Sequence, residues 1–139
     1  MMCNQFLKSF ERRAEGNTTP ILFLIDEVPR LEKIEAISNG LATLHSKKIH
    51  ISLIVQSKSQ LNAIYGKDVA EVIADNCSYK VILKASEPTT QEWCSKLVGT
   101  YVKPEEFAYL QDVVCVFPNG YKRLQKANYY EDSTFTSKL

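Results

Sequence analysis

The chain has 139 residues, 45% of them hydrophobic, and a formal net charge of +1. That size suits one domain with a real core, and so even a charge balance gives no global argument for nucleic acid or a membrane surface as partner. Its apolar runs fall far short of the roughly 20 residues that a membrane span needs, and MMCNQFLKSFERR at the start has no apolar signal-peptide stretch, so the chain reads as cytoplasmic.

Residues 2–15 carry Phe6, Leu7 and Phe10 at helical spacing, stopped by Gly16. Asn17 to Pro20 is a turn cluster. Ile21 to Ile25 is apolar on both faces, the pattern of a central parallel strand. Leu31, Ile34, Ile37, Leu41 and Leu44 then recur every three or four residues, an amphipathic helix with Pro29 in its first turn. His50 to Gln56 is a second strand. Ser57 to Gly66 and Lys67 to Asp75 are short helices, and Ser78 to Leu83 is a third strand. Glu87 to Val98 is a helix closed by Gly99, and Pro104 to Leu110 is a shorter one. Val113 to Phe117 and Tyr121 to Leu124 flank Pro118-Asn119-Gly120 as a hairpin. The polar tail after Tyr130 reads as loose.

Strand, helix, strand, helix, strand implies a parallel sheet with helices on its faces. Ligands in such sheets sit beyond the carboxyl ends of the strands, where Asp26, Glu27 and Gln56 fall. An apolar strand running into Asp-Glu is the Walker B pattern. In it the Asp orients a magnesium shell and the Glu activates water for attack on a γ-phosphate. The plainer alternative is that the two acids cap the next helix and favour its dipole. Gln56 has the position of a γ-phosphate sensor, or else caps Ser57 to Gln60. His45, Lys47, Lys48 and His50 form a basic cluster, either a solvated helix end or a contact for phosphate on a neighbouring subunit or DNA.

Trp93, at helical spacing with Leu97, reads as core. Cys3, Cys77, Cys94 and Cys115 form no C-x-x-C pair and fit no common zinc spacing; three of them sit in apolar contexts and read as small core residues in a reducing compartment. Tyr129-Tyr130-Glu131-Asp132 is either a docking tail or the last ordered residues. There is no G-x-x-x-x-G-K-[ST]: the one Gly-Lys, Gly66-Lys67, is followed by Asp68. Without that loop the phosphates have no backbone cradle, so the chain is not expected to work as a self-sufficient ATPase.

Several blocks together resemble the type IV coupling proteins, the TraG/TraD-type ATPases of conjugation and type IV secretion. LFLIDEVPRLEKIEAISNGLATLHSKKIHISLIVQSKSQLNAIYG is similar to their Walker B strand, following helix and sensor strand, with S-x-x-Q-L-x-x-I-Y-G especially characteristic. IADNCSYKVIL and EPTTQEWCSKLVGTYV resemble the next strand and helix, and VFPNGYKRLQKANYYED the closing strand pair and tail. The likeness runs from about Asn4 to Asp132.

It implies the C-terminal half of a RecA-like, P-loop NTPase-type domain over residues 1–132, with 133–139 as a flexible tail. The fold is an α/β three-layer sandwich whose mostly parallel sheet lacks the P-loop strand and ends in a β-hairpin. By the resemblance Asp26 is the magnesium-associated acid, Glu27 the catalytic base and Gln56 the sensor. Many relatives carry arginine near His45; histidine here leaves Lys47 or Lys48 as substitutes for a trans-acting cation. ATP and Mg belong to the intact parent, and tight binding to this chain alone is not expected. The implied partners are the P-loop half, all-α domain and membrane anchor of the parent, then a relaxase–DNA complex and the secretion channel. The parent would sit at the cytoplasmic face of the bacterial inner membrane. The alternative role is a non-catalytic accessory or remnant docking onto a full-length coupling protein. In RecA-like sheets the P-loop strand lies between the second and third strands of this chain. Its absence leaves a slot or a direct pairing of the two, with self-association as a consequence.

Overall fold

The computed structural model describes residues 2–12, 19–28 and 33–127, and only the backbone of 2, 3, 11 and 38–42. The chain divides into two compact units, Met1–Cys77 and Ser78–Leu139. Residues 133–139 and the Tyr129–Asp132 motif lie outside the described residues. No helix among the described residues is long and apolar enough to cross a membrane.

The first unit contains α1 (Met2–Glu11), β1 (Ile21–Ile25), α2 (Glu35–Ser46), β2 (Ile49–Leu53), α3 (Lys58–Tyr65) and α4 (Lys67–Asn76). β1 and β2 pair in parallel, from Ile21 opposite Ile49 to Ile25 opposite Leu53. Alternation along the strands sends Phe23, Ile25, Ile51 and Leu53 to one face. There they pack with Leu7, Ile37, Leu61 and Ile73, one from each helix. The Phe6 and Phe10 rings stand edge-on to Phe23, with centroids 6.2 and 5.4 Å away, a geometry favoured by the ring quadrupole.

The S-x-x-Q-L-x-x-I-Y-G motif is used along its length. Ser57 caps α3, its Oγ accepting from the Gln60 amide at 3.1 Å. Leu61 and Tyr65 are core. Gly66, at φ 81°, turns the chain from α3 into α4 in the left-handed region that glycine tolerates. Lys58 is buried, and its Nζ donates to the Ala70 carbonyl at 3.0 Å and pairs with Glu71 at 2.8 Å. That ammonium fixes α3 against α4.

The second unit contains β3 (Lys80–Ile82), α5 (Pro88–Leu97), a 3-10 turn (Pro104–Tyr109), β4 (Val113–Phe117) and β5 (Gly120–Leu124). Its sheet is antiparallel in the order β3-β4-β5. Ile82, Val114 and Val116 pack with Cys94, Val98 and Phe107, and Trp93 and Leu97 lie against that cluster. α5 starts with Pro88 at its first turn and the Glu87 carboxylate accepting from the Thr90 amide at 3.1 Å. Burial pushes the Cys94 thiol up to about 11, so it stays protonated and serves as a small apolar group. Cys77 and Cys115 are half-buried.

The parallel pair and the C-terminal hairpin follow expectation, whereas the third strand is shorter than 78–83 and its partner is β4. The hairpin is local in sequence, joined by Pro118-Asn119 alone, and offers β3 an antiparallel edge. Direct pairing of β2 with β3 does not form among the described residues; each has one partner.

At the start of α2 the Ile34 amide donates to the Tyr65 hydroxyl at 3.2 Å, a buried contact. Tyr65→Phe strands that N–H and is expected to destabilise the chain by about 1–3 kcal/mol, read from the urea midpoint. An unchanged midpoint would show that the hydroxyl contributes nothing.

Candidate functional site at a strand edge

The carboxyl edge of the parallel pair is built by backbone bonds that outlast the strands. The Ile54 amide donates to the Ile25 carbonyl at 2.9 Å, and the Val28 amide donates back to Ile54 at 3.2 Å. These bonds hold the turn carrying Asp26 and Glu27 beside the segment that leads to Gln56. Asp26 and Gln56 are exposed and Glu27 is half-buried. The structure therefore brings Asp26, Glu27 and Gln56 to one edge.

Glu27 has φ 49°. A left-handed conformation costs a non-glycine residue roughly 1–2 kcal/mol. Such strain persists only where the surroundings impose it, and it concentrates at functional positions. Here the imposing bonds are the two on either side of the turn.

The helix-capping alternative for the acids can be weighed directly. Two of the amides at the start of α2, Ile34 and Ala36, are taken by the Tyr65 hydroxyl and by the Asn4 side-chain oxygen at 3.1 Å. The Lys8 ammonium bonds the Glu35 carboxylate at 2.9 Å and holds that carboxyl below its ordinary range. Residues of α1 and α3 thus satisfy these two amides; residues 29–32, between the acids and α2, lie outside the described residues. Sequence reading missed Asn4, Lys58 and Tyr65 as supports of this edge, although the last two lie inside the motif it singled out.

Gln56 does not cap α3, because Ser57 does. Its Oε1 accepts from the Gln60 side-chain amide at 3.4 Å, a long bond between exposed groups.

His45, Lys47 and Lys48 are not part of this edge. The Ile21 amide donates to the Lys48 carbonyl at 3.0 Å, which puts the basic cluster at the opposite end of β1 and β2. A five-residue strand separates the two ends by about 15 Å at 3.3 Å per residue, beyond the reach of one side chain. Within one copy, these cations and the acids do not meet at one phosphate-sized ligand. The His45 and His50 rings stand edge to face at 6.2 Å.

Asp26 and Glu27 offer two carboxylates, too few for an all-protein metal cage. No group of three or more His, Cys, Asp or Glu side chains suited to a metal occurs among the described residues. Two acids do fit Mg2+, which takes one or two carboxylates and completes its shell with waters and phosphate oxygens.

A family model described as the TraM recognition site of TraD and TraG matches residues 20–107. Protein VirD4 of Agrobacterium fabrum (strain C58 / ATCC 33970) is 32% identical over 92 residues, covering 66% of this chain and 14% of VirD4. VirD4 of Rhizobium radiobacter is 30% identical over 114 residues, covering 80% of this chain and 17% of the relative. The chain thus spans 14–17% of the length of these relatives. Among solved structures, the bacterial conjugative coupling protein TrwBdeltaN70 superposes with a TM-score of 0.78 at 18% identity, over 91% of this chain and 36% of that one. TrwB in complex with ADP and Mg2+ gives 0.79 at 21%, over 89% and 34%. At such identities the likeness establishes the fold, which is RecA-like.

Lys48 closes α2 in the left-handed region, at φ 56°, where glycine is favoured. Lys48→Gly is expected to raise stability by about 1 kcal/mol. Lys47→Gly, at φ −93°, gives no such gain. Thermal melts of the two variants check this.

Proposed function

The chain belongs to the TraG/TraD family of type IV coupling proteins, as the C-terminal part, and from that premise we propose that it is the catalytic-edge half of a coupling-protein ATPase domain. In the assembled protein that domain hydrolyses ATP and drives a DNA–protein substrate into a secretion channel at the inner membrane. The observation that carries the reading is the strand edge, where a strained Glu27, an exposed Asp26 and Gln56 converge while two amides at the helix start are satisfied by other residues.

The roles follow from the chemistry. Asp26 holds the magnesium shell. Glu27 accepts the proton of the attacking water. Gln56 donates to the γ-phosphate. Mg2+, when bound, neutralises charge on the transferring phosphoryl group. TrwB has been seen with ADP and Mg2+; for this chain both remain part of the proposal. His45, Lys47 and Lys48, at the far edge, act only on a neighbouring copy.

The unpartnered sheet faces support the half-domain reading. In the first unit the helices pack on one face of the parallel pair, and Leu22 and Leu24 on the other are 68% and 66% exposed. Parallel sheets are covered on both faces. In the second unit Tyr79, Val81 and Leu83 are exposed on the face turned away from its core. Apolar surface of this kind marks contact with something else; the remainder of the domain is the proposed cover, and self-association follows in its absence. The family description adds TraM recognition, proposed here as a partner-docking role.

The test is ATPase activity after mixing the 139-residue chain with the P-loop-bearing remainder of its parent. Activity is expected in the mixture and in neither half alone, and Glu27→Gln should lower it at least about a hundredfold, the scale of a lost general base. Full activity with Glu27→Gln removes that assignment, and hydrolysis by the chain alone overturns the half-domain reading.

A further inference from the structure

The loop after α5 is a constrained, exposed segment of the second unit. Gly99 and Thr100 both have positive φ, 65° and 62°. The buried Ser95 hydroxyl donates to the Val102 carbonyl at 2.6 Å, and the Thr100 amide donates to the Ser95 carbonyl at 2.9 Å. A Cβ at Gly99 would lie 3.3 Å from the Tyr101 ring, so that residue is small where the ring passes. The loop is thus held in a strained form at three points.

What it holds is Tyr101, which is 82% exposed. The ring stacks on Tyr121 of β5, with centroids 6.4 Å apart and planes 26° from parallel. Tyr121 is half-buried against the core, so it backs Tyr101 firmly and leaves the outer ring face open. Beside this platform runs a groove of about 310 Å³, lined by Glu92, Ser95, Lys96, Thr100, Lys103 and Pro104. It carries two cations and one acid.

We infer that this platform and groove form a docking site for an acidic, aromatic-bearing segment of a partner protein. A partner aromatic stacks on the open face of Tyr101, and partner carboxylates meet Lys96 and Lys103. A rigid, exposed tyrosine costs little entropy on binding and is the kind of group that anchors interfaces. Magnitude argues against single-stranded nucleic acid at the same place. Nucleic-acid sites draw affinity from many neutralised phosphates, commonly 6–10, and two lysines facing a glutamate fall well short. The inference rests on the proposed docking role of this chain and names its surface.

The test uses the full 139-residue chain, 15N-labelled, titrated with a random copolymer of glutamate and tyrosine, then with polyglutamate and with oligo-dT. Amide shifts confined to residues 95–103, with copolymer affinity at least tenfold above polyglutamate and oligo-dT, are expected. Tyr101→Ala and, separately, Lys103→Glu should each weaken the copolymer about tenfold or more while the remaining amide spectrum stays folded. Shifts elsewhere only, affinity indifferent to both substitutions, or tighter binding of oligo-dT to the loop overturns the inference. The Lys103→Glu result stands even if Tyr101→Ala loosens the loop. ATPase of the reconstituted domain should be unchanged by Lys103→Glu; absence of reconstituted ATPase would sink the half-domain reading and leave the binding result intact.

Discussion

The parallel register of β1 and β2 decides where the polar groups of the first unit lie. Once Ile25 stands opposite Leu53, the Ile54 amide reaches the Ile25 carbonyl and the Val28 amide returns to Ile54. The turn between those two bonds has no room to relax, and Glu27 is held left-handed within it. A slip of one residue would also turn Phe23 and Ile25 away from the helices, because side chains alternate with period two. The hydrophobic packing that fixes the core therefore fixes the acids as well. The 28 residues between Glu27 and Gln56 return the chain through α2 and β2 to the same edge, and β2 ends at Leu53, short of Gln56.

Much of this was legible in the sequence because it depends on local rules. Apolar runs gave β1 and β2, Gly99 gave the end of α5, and Pro118-Asn119-Gly120 gave the hairpin. The strand-end position of Asp26 and Glu27 needed only the strand's length and direction. What the sequence did not display was who satisfies the start of α2. Asn4 and Tyr65 are 32 and 31 positions from the amides they accept from, and no periodicity or spacing signals such a long-range bond. Lys58 was equally hidden, since a lysine beside a helix cap reads as solvated until Ala70 and Glu71 enclose it.

The fate of the third strand separates pattern from pairing. Residues 78–83 read as a strand in a series of parallel units, and composition cannot say which neighbour a strand will choose. A two-residue turn closes β4 onto β5, so that edge forms at low loop-closure cost. The edge of β2 is separated from β3 by α3 and α4, and the edge of β4 by α5 and the 3-10 turn. β3 takes the antiparallel edge that the hairpin supplies, and among the described residues β2 and β3 are each hydrogen-bonded to one strand.

That distribution bears on how chemistry is divided in the proposed domain. Carboxylates and an amide at strand ends tolerate exposure, because water solvates them until a ligand arrives. A phosphate cradle is different: it is a loop of aligned backbone amides whose geometry depends on the strand and helix on either side. The first kind of group can be complete in a chain that covers 34–36% of its structural relatives, and the second cannot be improvised from Gly66-Lys67-Asp68, which the structure spends on joining α3 to α4. On the proposed function, the apolar faces at Leu22 and Leu24 and at Val81 and Leu83 are what joins the two kinds. Their burial is nondirectional and strong enough to assemble halves, whereas the acids contribute only when assembly has already put phosphate within their reach.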